Sequence, residues 1–259
     1  MDWATRKRLK YFVLLFLIIF AGVFFAVLPL FNVSSTCSDN KKNGTEVGVD
    51  CGGTCQYLCS SQVSIPQIMW TRALPSADGR VALVTYIKNQ NKTAGVQHAT
   101  YKFTLFDNLG KVVAIKEGET QISANGNIAI FAGPVDIGKR KVQNTTFEWT
   151  SPLYFSTLSD RALLSNIEIV KTNLEIASTT TALSANLRNT TRLEYESVPV
   201  VAILYDKDGN ALLASRTILD SLAKETSADI FFTWNTVTSS EVASIEVLPY
   251  FEQFAQKNK

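Results

Sequence analysis

Val81-Ala-Leu-Val-Thr-Tyr-Ile-Lys-Asn89 and Thr181-Ala-Leu-Ser-Ala-Asn-Leu-Arg-Asn189 are one strand pattern written twice, 100 residues apart. In both, alternate positions are apolar or small: Leu83, Thr85 and Ile87 in the first, Leu183, Ala185 and Leu187 in the second. That period of two is the signature of a strand with one face in a core. Each copy then ends on a basic residue and an asparagine, which starts turns readily. The match continues outward. Phe103-Thr-Leu-Phe-Asp107 followed by Gly110 aligns with Ala202-Ile-Leu-Tyr-Asp206 followed by Gly209, at an offset of 99. Asp107-Asn-Leu-Gly110 and Asp206-Lys-Asp-Gly209 read as hairpin turns, with glycine supplying the positive φ. Val112 to Ile115 and Ala211 to Ala214 are then the returning strands. Ile130-Phe131 and Ile230-Phe231 restore the offset of 100, and closing strands follow at Lys141 to Trp149 and Ile245 to Phe251.

No stretch after Cys59 has the period of a long amphipathic helix. The repeat therefore predicts an all-β fold with two tandem β-sandwich domains, at 61–155 and 160–254, and a short tail at 255–259. About ninety residues suffice to bury a core without a disulfide. The linker, Ser151 to Asp160, is short and holds Leu153, Tyr154, Phe155 and Leu158, so the two domains are expected to pack together.

The other end of the chain differs in kind. Residues 1–10 carry Arg6, Lys7, Arg8 and Lys10 against Asp2, a basic cytoplasmic tail. Tyr11 to Phe31 then runs 21 residues without a charge, 16 of them Leu, Ile, Val or Phe. As a helix rising ~1.5 Å per residue this reaches about 30 Å, the hydrocarbon thickness of a bilayer. A cleaved signal peptide has a shorter apolar core and a small-residue cleavage site, which Asn32 to Thr36 supply poorly. A lipoprotein would use Cys37, but Ser34-Ser35-Thr36 lacks the aliphatic residue expected before it. The reading is one N-terminal transmembrane α-helix at 11–31, an uncleaved signal anchor with its partner the lipid bilayer. The positive cluster stays inside, so the domains lie outside the membrane.

Four cysteines, Cys37, Cys51, Cys55 and Cys59, fall in one patch, and no other cysteine occurs. Outside the cytoplasm an even count predicts two disulfides, and spacing alone leaves all three pairings open. Residues 32–60 become an extracytoplasmic, disulfide-tied spacer. Asp39, Glu46 and Asp50, with Asn40 and Asn43, are hard oxygen ligands around Gly44 and Gly48. A calcium site is thus an alternative to plain turn formation, although no EF-hand spacing is present. A four-thiolate zinc site requires the opposite topology. The spacer reading is preferred, with no metal and no cofactor.

Two resemblances follow from these residues. Cys37-Ser-Asp39 through Asn43-Gly44-Thr-Glu46 to Asp50-Cys51-Gly52-Gly53-Thr-Cys55 and Cys59 resembles a small secreted cysteine module found beside membrane anchors in bacterial surface proteins. Cys55 and Cys59 are separated by three residues where the module has two. Phe103 to Asp107 and Ala202 to Asp206, each before a glycine hairpin, resemble the FxLYD domain of bacterial envelope proteins. That resemblance implies immunoglobulin-like sandwiches outside the cell and no catalytic residues.

Composition narrows function further. The net charge is +2 and no Lys/Arg tract follows residue 10, which argues against a nucleic-acid partner. The single histidine, His98, reads as a solvated residue in the loop between the second and third strands, with no Gly-x-Ser-x-Gly elbow to serve. Asp206 and Asp208 are a carboxylate pair, but in a turn where aspartate is routine. No phosphate-cradling glycine loop is present. Asn-x-Ser/Thr sequons at Asn32, Asn43, Asn91, Asn144 and Asn189 mark positions expected to be exposed. Tyr86, Trp70, Trp149 and Trp234 are the aromatics that a sugar- or protein-binding face would use, although sandwich cores also hold tryptophan. The expectation is a membrane-anchored, non-catalytic binding or structural protein of an envelope or surface assembly. Its partner would be an envelope protein, with wall glycan, as for an adhesin, the alternative.

Overall fold

The computed structural model describes residues 3–31, 34–158, 167–238 and 241–250. The chain divides into two compact units, residues 1–59 and 60–259.

The first unit opens with helix α1 (Trp3–Phe31). Its apolar side chains from Tyr11 to Phe25 are exposed. That described stretch covers about 22 Å of helix. Among the described residues no helix is long and apolar enough to cross a membrane. After α1 the unit is a run of turns tied by disulfides, with one isolated antiparallel bridge from Gly48 to Cys51.

Among its described residues the second unit is antiparallel β, apart from two single 3-10 turns at Ser60–Gln62 and Ala77–Gly79. Its strands are β1 (Gln67–Pro75), β2 (Val81–Asn89), β3 (Ala94–Phe106), β4 (Val112–Ile122), β5 (Gly126–Val135), β6 (Asn144–Trp149) and β7 (Phe155–Thr157). Then follow β8 (Ile167–Ile176), β9 (Thr181–Asn189), β10 (Tyr195–Tyr205), β11 (Ala211–Leu222), β12 (Ser227–Trp234) and β13 (Ser244–Pro249). Two sheets come from the first copy of the repeat, β1-β2-β5 and β4-β3-β6, and two from the second, β8-β9-β12 and β11-β10-β13. The order is the same in both copies. Register agrees as well: Thr85 faces Ile130 as Ala185 faces Ile230.

The inward phase read from the sequence is buried in both copies. Leu83, Thr85, Ile87, Leu183, Ala185 and Leu187 are all at most 2% exposed. The second copy buries Leu183, Leu187, Ile230 and Phe232 of one sheet against Val200, Leu204 and Leu213 of the other, a β-sandwich-like core. Both hairpins form as expected. Gly110 and Gly209 take φ of 74° and 76°, and each donates its N–H to the carbonyl of the aspartate three residues back at 3.1 Å.

Asn89 and Asn189 do more than start turns. Both are buried, at 1% and 0% exposure. Asn89 Nδ2 donates to the carbonyls of Ala94 at 2.9 Å and Ser123 at 2.7 Å. Asn189 Nδ2 donates to those of Leu193 at 2.7 Å and Ala223 at 2.9 Å. Each amide ties the end of one strand to the start of the next and to the loop after the fourth. The sequon at Asn189 is therefore not an exposed site; its amide is fully engaged. Asn144 is exposed, Asn43 and Asn91 are half-buried, and Asn32 lies outside the described residues.

The linker also differs from its reading. Phe155–Thr157 forms β7, which pairs with Ala94–Val96 of β3. Phe155 and Leu158 are buried, so this stretch completes the first copy. The linker residues Ser159 and Asp160 and the closing Phe251 lie outside the described residues.

The two copies meet face to face. Leu74 and Val84 of the first copy share one apolar cluster with Val201, Ile203, Ala211 and Ala214 of the second, and β1 and β2 both touch β11. The outer faces of β1-β2-β5 and β11-β10-β13 are thereby covered. The four sheets stack as β4-β3-β6, β1-β2-β5, β11-β10-β13, β8-β9-β12. The two central sheets have both faces buried, which is why Val81 to Ile87 and Val198 to Leu204 are near-continuous apolar runs.

Candidate functional site

The four cysteines pair as Cys37–Cys55 and Cys51–Cys59. Glycines make room for them: a Cβ at Gly48 would lie 2.8 Å from Cys51 Sγ and 2.9 Å from Cys59 Sγ. Gly53 takes φ +62° and passes directly against the Thr45 carbonyl, so no side chain fits there. The carboxylates grouped as possible calcium ligands face the chain's own N–H groups. Asp50 Oδ1 and Oδ2 accept from the N–H of Asp39 and Asn40, both at 2.9 Å. Asp39 accepts from the Lys41 N–H at 2.8 Å and from Asn43 Nδ2 at 2.8 Å. Glu46, only 5% exposed, accepts from the N–H of Asn43 at 3.2 Å and of Asp50 at 3.3 Å. This is turn geometry with acidic acceptors. Glu46 also lies beside the Cys37–Cys55 pair, but oxidised sulfurs offer no thiolate to a metal.

Asp206 behaves as a turn former too. Its Oδ1 accepts from the N–H of Asp208 at 2.9 Å and of Asn210 at 2.8 Å. The Asn210 N–H bond holds the Asp206 carboxyl below the ordinary aspartate range, so it is ionised and engaged rather than poised as an acid. His98 is not in a loop. It sits within β3, where the register slips between Val96 and Ala99. That bulge breaks the period of two and hides the strand from a periodicity reading. The ring is exposed, and its Nδ1 lies 2.5 Å from Glu119 of β4.

The aromatics considered for a binding face are in contacts. Trp234 is buried, stacked on Phe232, and donates Nε1–H to the Ala214 carbonyl at 3.0 Å. Trp149 meets the edge of Phe147 at 4.9 Å between ring centres. Trp70 stacks on Tyr86 at 5.5 Å and meets Tyr205 edge-on at 6.4 Å, across the junction of the copies. There Glu246 receives two phenols: Tyr86 donates to Oε1 at 2.5 Å and Tyr205 to Oε2 at 3.0 Å. Burial, reinforced by the Glu246 carboxylate, pushes both phenols well above the ordinary tyrosine range. Arg72 reaches across to Asn210 Oδ1 at 3.2 Å. Tyr86 therefore fastens the two copies together and presents no free platform.

What the junction leaves open is a groove of about 340 Å³ beside this contact. Tyr101, Glu119, Phe131, Val201, Arg216 and Tyr250 are among its walls. Tyr101 is 6% exposed, and its ring runs over Gly118, the residue opposite it on β4. A side chain at Gly118 would strike the Tyr101 hydroxyl, so the glycine lets the ring cross the edge strand and present its oxygen to the groove. Burial raises the Tyr101 phenol, and the nearby Arg216 charge opposes that rise. Arg216 itself lies 6.0 Å over the Phe131 ring. A second hollow of about 200 Å³ continues past Tyr250 along the start of β5. In the sequence Phe131 and Tyr250 read only as strand residues, and nothing marks Tyr101, Glu119, Val201 or Arg216 as parts of a site. The signal for Tyr101 was the out-of-pattern Gly118 in a strand, which marks a close approach.

No protein-family model and no curated protein sequence matches the chain. Among solved structures, that of red sea bream transglutaminase aligns with 73% of this chain and 31% of its own length, at 8% identity and a TM-score of 0.23. The chain thus spans about a third of that transglutaminase, and a likeness this slight bears on neither fold nor chemistry.

Proposed function

We propose that this chain is a membrane-anchored, extracytoplasmic binding or structural protein: a non-catalytic part of an envelope assembly that holds a protein partner on two docked, immunoglobulin-like sandwiches. The anchor rests on the uncharged run Tyr11 to Phe31 behind a basic tail. The compartment rests on the paired cysteines, which suit an oxidising environment. The observation that carries the reading is the use made of the chain's polar chemistry. Asp206, Glu46, Asp50 and Glu246 all serve turns, the disulfide segment or the junction, and the buried asparagines tie loops. A protein partner is favoured over wall glycan because Trp70, Trp149 and Trp234, the residues a sugar platform would use, are packed in protein contacts. The likeness to FxLYD envelope domains agrees with this role.

The test has two parts. Protease added outside intact, wall-stripped cells should remove the sandwiches and spare an epitope at residue 2; protection of the sandwiches refutes the topology. Reciprocal pull-downs from solubilised membranes should return the same envelope protein in both directions, and failure to return any refutes the assembly role.

A further inference from the structure

We infer that the junction groove is a recognition site for an extended peptide segment carrying an acidic side chain, a proposal that names the partner chemistry of the reading above. Three observations converge there. First, the Tyr101 hydroxyl belongs to a side chain more than nine-tenths buried, lines the groove, and makes no hydrogen bond among the described residues. A phenol held in that position wants an acceptor. Second, Arg216 lines the same groove with no carboxylate partner among the described residues, its guanidinium stacked over Phe131 and close enough to Tyr101 to act on its charge. The groove's own acid, Glu119, is taken by His98. A phenol donor and an unpaired guanidinium facing one space select a carboxylate, which the planar fork binds through two oxygens.

Third, the groove is bounded by open strand edges. Among the described residues β5 pairs only with β2, and β4 only with β3, so alternate residues of each strand turn N–H and C=O groups away from their sheets. Ala129, Ile130 and Phe131 of β5 and Glu119 to Gln121 of β4 all border the space. An extended peptide gains main-chain bonds along such an edge, and its alternate side chains enter the pocket. A free sugar acid uses the Arg216 and Tyr101 donors but not the edge, which is why the peptide is the favoured ligand. Phe131, Pro199 and Val201 give the apolar wall against which a flanking β-branched residue packs. The volume, about 340 Å³, suits one side chain with its neighbours rather than a folded domain.

The full chain in detergent, with its tyrosines isotopically labelled, is titrated with a capped heptapeptide alternating valine and threonine around a central glutamate. A second peptide carries glutamine instead, and a tri-galacturonate supplies carboxylate without a peptide backbone. The glutamate peptide should shift the Tyr101 signal and bind about tenfold to a hundredfold more tightly than the glutamine peptide, the span expected for a charge-assisted pair. Arg216→Gln should remove that difference, and Tyr101→Phe, which keeps the ring, should weaken glutamate binding severalfold while leaving the thermal midpoint in place. Equal binding of the two peptides, or a preference that survives Arg216→Gln, overturns the proposal. Tighter binding of tri-galacturonate than of the glutamate peptide overturns the peptide assignment. Reciprocal capture of one envelope protein that is unaffected by Arg216→Gln would sink the groove as its site and leave the assembly role standing.

Discussion

Replacing Asn189 by alanine should cost more than any surface change of the same size, and the structure states why. The side chain is fully buried. Its Nδ2 donates to Leu193 O at 2.7 Å, Ala223 O at 2.9 Å and Leu222 O at 3.3 Å. Its Oδ1 accepts from the Thr191 N–H at 2.9 Å and the Thr191 hydroxyl at 2.8 Å. The Thr191 hydroxyl has further contacts with Leu193 O and Tyr195, so it can turn elsewhere, and the Ala223 carbonyl keeps the Thr226 hydroxyl at 2.8 Å; the buried Thr191 N–H loses its acceptor outright. With about 1 kcal/mol lost per satisfied bond and more for each buried group left bare, the change should cost about 3–4 kcal/mol. At ~2–4 °C per kcal/mol for a unit of this size, the thermal midpoint falls by about 6–16 °C. The assay is near-ultraviolet circular dichroism of the full chain, which reads the buried Trp234 in the same copy. Asn89→Ala should cost a comparable amount because the repeat gives it the same two bonds, and exposed Asn144→Ala should cost almost nothing. Asn189→Asp sets an oxygen against carbonyl oxygens and should be at least as damaging as alanine. A loss below about 1 kcal/mol for Asn189→Ala would refute the role assigned to the amide.

Three other outcomes are expected. Reducing the disulfides releases loops closed across 18 and 8 residues, a loss of about 3 kcal/mol for the larger; amide exchange should rise across residues 35–59 while tryptophan fluorescence of the sandwiches holds steady. The phenols of Tyr86 and Tyr205 are raised above their unfolded value, so their contribution is complete below about pH 10 and is lost as pH climbs beyond it. Urea midpoints should accordingly fall above pH 10, and much less in the Tyr86→Phe, Tyr205→Phe double variant. Val84→Asp buries an unpaired carboxylate between the copies and should cost about 3 kcal/mol or more with a red shift of Trp70 emission, whereas Ser184→Asp, at the matching place on the outer sheet, should cost less than about 1 kcal/mol.

How far the sequence could be read follows from how local each signal is. The inward phases of β2 and β9, the two aspartate–glycine hairpins and the all-β class rest on period and turn chemistry within ten residues, and all appear in the structure. β1 and β8 carry no companion motif that would mark them: Trp70 matches Lys171 in register, and nothing in the letters aligns them. The bulge at Gln97-His98 hid half of β3. The disulfide pairing and the roles of Asn89 and Asn189 depend on what lies 8 to 34 residues away, which spacing does not specify. The groove was least legible of all. Its donors come from β3 and β11, 115 residues apart in the chain and brought together only because two copies dock.

That docking also explains a difference between the copies. A duplicated unit that sticks front to back has, by construction, a front and a back left over, and such heterologous contacts do not close: they invite open-ended filaments. Here the unused front has been altered. Where the first copy docks with Trp70, Val84 and Tyr86, the second shows Lys171, Ser184 and Asn186 in the same register, and only Phe231 keeps its counterpart's character, 68% exposed. The unused back carries Lys102 paired with Glu148 where the docked one carries Val201 and Leu248. The two leftover faces thus lack the apolar and aromatic residues through which the copies dock. Restoring tryptophan, valine and tyrosine at those three positions would turn a self-limiting pair into a monomer of a fibre.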